Sequence, residues 1–360
     1  KRQVTSDPLC GGRTFAHIRY ERQLSLKAEI IADAFRRIAK QPLEHPVTVV
    51  PSPDTGYRLR ARLHVDKNAL GFYREGSHTV CAAGPTGQLS AETMAAVERL
   101  HGVFGTSLQV CTSILVSETT DGASRVMTCA VHDKARLDPF MGITLPDGIT
   151  GIVVQATKGE FLAAGADQLV DHSATLPGTA AAGRPSVTWT RRGASFFQGN
   201  RFLVGALLDR VLAAAEGRFV DLYAGVGLFA VSLAARGQSG LAIEGDPTSA
   251  GDLASNAVPY EERLGTRPVS VESAVAAPPH VQPDVVIVDP PRTGLSPGVV
   301  AGLLTWQTPR IVYVSCDVPT LARDANRLLA GGYRLTSLEA LDMFPDTPHV
   351  ECVAVFDRVA

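Results

Sequence analysis

After residue 187, apolar runs of strand length alternate with Ala- and Leu-rich stretches of helical spacing. The runs lie at 219–223, 240–244, 284–289 and 310–315, and the helical patterns at 200–216, 227–236, 248–257 and 318–331. Continuous apolar strands joined by helices require a mostly parallel sheet covered on both faces, so this half predicts a doubly wound α/β fold. Ligands in such folds bind outside the carboxyl ends of the strands. The search for chemistry therefore begins there.

The region before it has another period. Tyr57, Leu59, Ala61, Leu63 and Val65 alternate with Arg58, Arg60, Arg62 and His64, as in a strand buried on one side. A turn at Asp66-Lys67-Asn68, a run at 70–73 and further strand-like runs at 108–116, 125–131 and 151–155 predict an additional antiparallel β-rich domain. The stretch HSATLPGTAAAGRPS over 172–186 reads as a linker. At the other end, apolar residues recur at helical spacing over about 21–40 and stop at Gln41-Pro42. The first forty residues carry nine Lys and Arg against four Asp and Glu. The expected organisation is a basic segment with an amphipathic helix (1–42), a central β-rich domain (43–186) and an α/β domain (187–360). A length of 360 residues suits two domains and a short extension. Lys1 at the start points to a chain beginning further upstream.

Composition excludes several classes. Net charge is −2, so the chain is no histone-like polycation, although a local basic patch can still serve RNA. The longest apolar stretch, 219–235, is broken by Asp221, Gly225 and Gly227 and cannot span a membrane. Six cysteines without a C-x-x-C pair argue against a disulfide scaffold or zinc finger, and most read as small buried hydrophobes in a reducing cytoplasm.

The first strand–helix junction reads DLYAGVG over 221–227. Gly225 and Gly227 let the backbone approach a ligand closely. Glu244 stands at the end of the next strand, 17 residues after Gly227, where an acid suits a ribose diol. These features leave a dinucleotide and S-adenosylmethionine both open. Asp289-Pro290-Pro291-Arg292 favours the second, because no dinucleotide fingerprint requires a D-P-P at the tip of the fourth strand.

Five motifs in order then carry a specific resemblance: FFQGN (196–200), DLYAGVG (221–227), DPPRTG (289–294), Ser315-Cys316 with Asp324, and DMFPDTPHVE (342–351). Together they resemble the RNA 5-methyluridine methyltransferases, strongly over 187–360 and more weakly upstream. The resemblance implies a Rossmann-like, S-adenosylmethionine-dependent methyltransferase sheet and methylation of uridine carbon-5 in tRNA or rRNA. It implies Cys316 as the nucleophile that adds to carbon-6 and Glu351 as the base that removes the carbon-5 proton. Without it, Cys316 would read equally as a buried structural thiol and Glu351 as an ordinary surface acid. The matching cofactor positions are Gln198, Tyr223, Gly225, Gly227, Glu244 and Asp289. Gln198, Asp289 and Arg292 would also meet the RNA. Arg58, Arg60 and Arg62 read either as a solvated face or, given an RNA substrate, as phosphate contacts. Arg323 and Asp324 read equally as an internal ion pair, and His349 as structural rather than catalytic. Leu228 departs from relatives with a polar cofactor contact there.

Other readings remain open at this stage: an RNA 5-cytosine methyltransferase, and an RNA-binding or RNA-folding protein that has lost catalysis. The H-V-E ending at Glu351 argues against the first and an intact Cys316, Asp289 and Glu351 against the second. The expected protein is a monomer working on RNA, with no membrane partner. The small RNA-binding barrel that often precedes the catalytic region in relatives is not among these residues.

Several relatives hold a 4Fe–4S cluster through C-x5-C-G-G-C and a later cysteine. Here the three clustered positions are Val4, Cys10 and Arg13, and Gly84-Pro85 stands near the expected later site. A cluster needs about four thiolates, so neither a cluster nor another metal is expected. Protein purified without oxygen should be colourless and contain no stoichiometric iron by elemental analysis; a brown, iron-loaded preparation would contradict this.

Overall fold

A computed structural model of the chain describes residues 7, 9–67, 69–132, 137–156, 159–177 and 186–359. Val4, Asn68 and the 178–185 part of the expected linker lie outside these residues. The chain enters through helix α1 (Tyr20–Arg37) and strand β1 (Val49–Val50). It then builds a sheet from β2 (Arg60–Asp66), β3 (Ala69–Tyr73) and β4 (Val80–Ala82). Helix α2 (Ala91–Phe104) follows, and then β5 (Cys111–Glu118), β6 (Arg125–Val131), β7 (Gly151–Ala156) and β8 (Gly159–Gly165). The order is β4-β3-β2-β5-β6-β7-β8. Six strand pairs make this sheet, and all but β6–β7 are antiparallel. The expected antiparallel β-rich domain thus carries one parallel pair, because β6 and β7 are joined by the long 132–150 connection instead of a hairpin.

Two local differences have simple causes. The expected strand over 108–116 begins only at Cys111, because Gly105–Val110 forms a 3-10 turn. Helix α2 interrupts what reads as an all-β region. Its signals are a Ser90 cap whose side chain accepts from the Thr93 N–H, and a buried stripe of Ala96, Val97, Leu100 and Phe104.

A two-stranded ribbon, β9 (Gln168–His172) with β10 (Thr188–Arg192), leads into the second sheet. There α3 (Val204–Ala214), β11 (Phe219–Leu222), α4 (Leu228–Ala235), β12 (Gly240–Ile243) and α5 (Pro247–Ala257) come first. Next are β13 (Leu264–Arg267), α6 (Val271–Val275), β14 (Val285–Val288) and α7 (Pro297–Trp306). The chain closes with β15 (Arg310–Ser315), α8 (Val318–Ala330), β16 (Tyr333–Leu341) and β17 (Glu351–Arg358). The sheet order is β1-β16-β17-β15-β14-β11-β12-β13, with β17 the antiparallel member. Strands β11, β14 and β15 are almost wholly buried, which is why they read as unbroken apolar runs. The strand order reverses between β11 and β14, and the crevice at that switch point is the ligand position of such folds.

The amino-terminal segment belongs to both layers. Helix α1 packs on α8, and Cys10 is disulfide-bonded to Cys81 at the end of the β-rich sheet. That corrects the reading of Cys10 and Cys81 as unpaired buried hydrophobes. Two cysteines 71 residues apart show no spacing signal in the sequence. Closing a loop of that length restricts the unfolded chain, so the Cys10→Ser/Cys81→Ser protein should be less stable by about 2–4 kcal/mol. Urea denaturation with and without reductant measures this; identical midpoints for wild type and variant under oxidising conditions would contradict it.

Candidate active site

Four elements end at one cavity of about 570 Å³, lined by Gln198, Tyr223, Gly225, Glu244, Asp289, Arg292, Cys316 and Glu351, together with Arg58 and Arg60. Strand β11 delivers Tyr223, β12 Glu244, β14 Asp289 and β15 Cys316. Glu351 opens β17 beside β15, where Cys352 is opposite Ser315. Of the residues assigned to cofactor, catalysis or RNA in the sequence, Gly227 and Arg62 do not line this cavity.

The turn after β11 is strained where it meets the cavity. Tyr223 has φ of 61°, a region that costs a bulky residue free energy and is held only by its surroundings. Gly225 has φ of 56° with open space where a Cβ would project, so its backbone faces the cavity bare. Gly227 is different: at φ 93° its missing Cβ would come within 2.7 Å of Val231 and 2.8 Å of Leu253. It permits the start of α4 to pack closely. Glu244 accepts from the Gly225 N–H at 2.7 Å and, with its other oxygen, from the Asp246 N–H at 2.7 Å. Asp246 in turn caps α5 by accepting from the Ser249 N–H. The Glu244 carboxylate is an acceptor suited to ribose hydroxyls, and the half-buried Gly225 backbone leaves room for the cofactor to lie against it. The residues present fit that cofactor.

On the reacting side, Gln198 donates through Nε2 to Asp289 Oδ2 at 3.0 Å. Burial pushes the Asp289 carboxyl up to about 7, although the Gln198 hydrogen bond opposes this. Glu351 is only 3% exposed. Burial first, and then the Asp289 charge, hold its carboxyl well above the usual range, with Arg292 acting in the other direction. Burial and the Glu351 charge push the Cys316 thiol up to about 11, again opposed by Arg292. One guanidinium thus stands against the carboxylates around the thiol. Asp221, fully buried behind the glycine turn, accepts from the Ala230 N–H, and its other oxygen has no hydrogen-bond partner.

The loop before Glu351 is held by residues the sequence reading passed over. Lys27, fully buried on α1, forms an ion pair with Asp342 and donates to the Phe344 carbonyl at 3.0 Å. Tyr20 donates to the same Asp342 at 2.8 Å. Gln23 brackets Asp346, donating to its Oδ1 at 2.8 Å and accepting from its N–H at 3.0 Å. Arg13 pairs with Asp346 at 3.2 Å. On the other wall, buried Arg191 pairs with Asp171 at 2.8 Å and lies over the Phe197 ring at 4.5 Å, beside Gln198. Asn200 donates to Ser52 Oγ at 2.9 Å and to the Met343 carbonyl at 3.2 Å. The polar residues inside FFQGN and DMFPDTPHVE were the available signal; their partners far upstream were not. Arg323 and Asp324 form an internal pair at 2.9 Å, and Asp324 also accepts from Tyr313 at 2.9 Å. His349 packs its ring edgewise against Phe344.

An iron–sulfur cluster does not fit the amino-terminal residues. The Cys10 sulfur is bonded to Cys81, and Arg13 is a buried cation paired with Asp346. Among the described residues, no group of three or more His, Cys, Asp or Glu is arranged to hold a metal ion.

The three arginines of the 58–62 row are partly committed to protein partners. Arg58 donates to Gln88 at 2.5 Å and lies over the Phe72 ring; Arg60 donates to the Ala194 carbonyl at 2.9 Å. Arg60 Nε is buried without a protein partner. Arg62 is exposed and donates to Ser113 at 3.1 Å.

Comparison with known proteins gives the family. The family model described as tRNA (uracil-5-)-methyltransferase matches residues 280–359. A 23S rRNA (uracil(1939)-C(5))-methyltransferase, RlmD, of Pseudomonas putida is 31% identical over 97% of this chain and 78% of its own length. An uncharacterized RNA methyltransferase of Aquifex aeolicus is 28% identical over 97% of this chain and 82% of its own. Among solved structures, the Pyrococcus abyssi tRNA (uracil-54, C5)-methyltransferase in complex with S-adenosyl-L-homocysteine superposes with a TM-score of 0.72. Its identity is 27%, covering 99% of this chain and 88% of that one.

Cys316 is the unpaired cysteine, among the described ones, that is not buried; Cys111, Cys129 and Cys352 are. With the thiol up at about 11, the rate of its alkylation by iodoacetamide should climb about tenfold per pH unit between pH 7 and 10, following the thiolate fraction. Arg292→Leu should slow the reaction and Glu351→Gln speed it at fixed pH. Peptide mass spectrometry reads this directly, and a rate that is flat with pH would contradict the assigned charges.

Proposed function

Because the chain belongs to the RNA uracil-5-methyltransferase family, we propose that it methylates carbon-5 of a uridine in structured RNA, tRNA or rRNA, through a covalent adduct on Cys316. The observation that carries this reading is the convergence of Cys316, Glu351, Asp289 and Gln198 on one cavity with the Glu244–Gly225 pair. S-adenosylmethionine supplies an electrophilic methyl group when bound. Tyr223, Gly225, Glu244 and Asp289 would hold it, in a site largely formed without RNA.

Carbon-5 of uracil is too weak a nucleophile to take that methyl unaided. Cys316 thiolate adds to carbon-6, and the resulting enolate places electron density on carbon-5. Arg292 is the cation nearest the thiolate and opposes its burial cost. Gln198 orients the base while fixing Asp289. After methylation Glu351 removes the carbon-5 proton, and the Cys316 bond to carbon-6 breaks as the double bond re-forms. A base held above the usual carboxylate range takes a proton more readily than an exposed glutamate. The basic segment and the β-rich sheet, 1–42 and 43–186, are proposed to receive the RNA.

No helix among the described residues is long and apolar enough to cross a membrane. A monomer acting on RNA in the cytoplasm fits the substrate.

The two catalytic side chains should fail differently. Cys316→Ala should form neither product nor adduct. Glu351→Gln retains nucleophile and methyl donor and should stall as a covalent protein–RNA complex, because losing one general base costs about a hundred- to ten-thousand-fold in rate. A denaturing gel with labelled RNA should show a shifted band for Glu351→Gln that disappears in the double variant. Turnover retained by Cys316→Ala would contradict the mechanism.

A further inference from the structure

Beyond the cavity, the same strand continues as a surface of another kind. Arg60, Arg62 and His64 alternate with buried Ala61 and Leu63, so they project from one face of β2. Arg60 lines the cavity, and four residues of strand carry the row about 13 Å outward to His64. There the row meets rings. His64 stacks on Tyr73 of the adjacent β3, with centroids 3.6 Å apart and planes within 13°, and Tyr73 meets His78 edgewise at 5.1 Å. Arg62 and His78 are exposed, and His64 and Tyr73 half-buried. Burial, with Arg62 and His78, holds the His64 ring below its usual pKa, so it is a neutral stacking partner at pH 7.

Cross-strand ring pairs stabilise sheet faces in general; what sets this one apart is that it continues a row of guanidinium groups leading from the cavity. Cations at every second residue with an aromatic platform at the end are the two parts of a single-stranded nucleic-acid site: charge for phosphates and π-faces for bases. At the inner end Arg60 lines the cavity, its guanidinium held by the Ala194 carbonyl at 2.9 Å. The row starts at the cavity that would take the target base, so its occupant is the chain attached to that base.

We propose that the Arg60–Arg62–His64–Tyr73 strip binds the unpaired RNA nucleotides next to the target uridine, with phosphates on Arg60 and Arg62 and a base stacked at the His64–Tyr73 pair. This rests on the RNA substrate proposed above. Enzymes of this chemistry must take the base out of a stack, and a stacking platform outside the cavity compensates a neighbouring base displaced in the process.

The test measures binding and turnover separately. Binding uses a fluorescein-labelled oligouridylate at several salt concentrations; turnover uses tRNA and 23S rRNA transcripts. Tyr73→Ala and His64→Ala should weaken oligouridylate binding about five- to a hundredfold, while Tyr73→Phe stays within about twofold of wild type. Arg62→Gln should weaken it and lower the salt slope by about one. On the transcripts, KM should rise more than kcat falls. Unchanged S-adenosylhomocysteine binding by calorimetry shows that each variant is folded. Wild-type methylation combined with unchanged RNA binding by Tyr73→Ala, His64→Ala and Arg62→Gln would overturn the strip and leave the uridine reading standing. RNA binding that follows the predicted pattern without any methylation would overturn the uridine reading and support the strip. Polyglutamate competing as well as unlabelled oligouridylate would assign the surface to acidic protein and overturn the proposal.

Discussion

The fully buried pair of Lys27 with Asp342 joins the first helix to the last loop, across more than three hundred residues of chain. Removing one partner of such a pair strands a charge in low dielectric, at a cost of about 3–5 kcal/mol. The pair is therefore present with all its partners or not at all. With Tyr20 on the same carboxylate and Gln23 and Arg13 on Asp346, it shapes the backbone between Asp342 and Glu351. Helix α1 is basic in the sequence, but its inward polar residues serve the site rather than solvent. Glu351 is thus held from two sides, by its pairing with Leu341 in the sheet and by a loop that helix α1 anchors.

The cavity itself is a concentration of buried and half-buried carboxyl groups. Asp221, Glu244, Asp289 and Glu351 stand around it, and the pKa shifts of Asp221, Asp289 and Glu351 all favour the neutral form. The same burial disfavours the Cys316 thiolate. Burial thus raises the cost of charge on these groups, and a cation placed beside them lowers it. A sulfonium cofactor carries positive charge, and Arg292 is already beside the thiol. The charge of a bound sulfonium would act on the Cys316 thiol in the same sense as Arg292.

The catalytic half was largely legible because its strands are buried on both faces and its loops carry polar residues that apolar packing alone does not call for. The strands at 219–223, 284–289 and 310–315 lie within a residue or two of β11, β14 and β15, and Cys316, Asp289, Gln198 and Glu351 meet in one cavity. Less legible were features that depend on distant residues. The Cys10–Cys81 bond, the Lys27–Asp342 pair and the Arg191–Phe197 contact join segments that nothing in local spacing relates. Gly227 illustrates a different limit. A glycine for ligand approach and a glycine for helix packing look identical in sequence, and only the Cβ positions separate it from Gly225. Period-two alternation found β2 but could not tell which of its arginines face the cavity and which face solvent.

The most direct test of the central claim is nucleoside mass spectrometry of tRNA and 23S rRNA incubated with purified protein and S-adenosylmethionine carrying a labelled methyl group. The account predicts label in 5-methyluridine at one mapped uridine, with none from the Cys316→Ala protein. Label in 5-methylcytidine, or no labelled nucleoside from a folded protein that binds the cofactor, would contradict it.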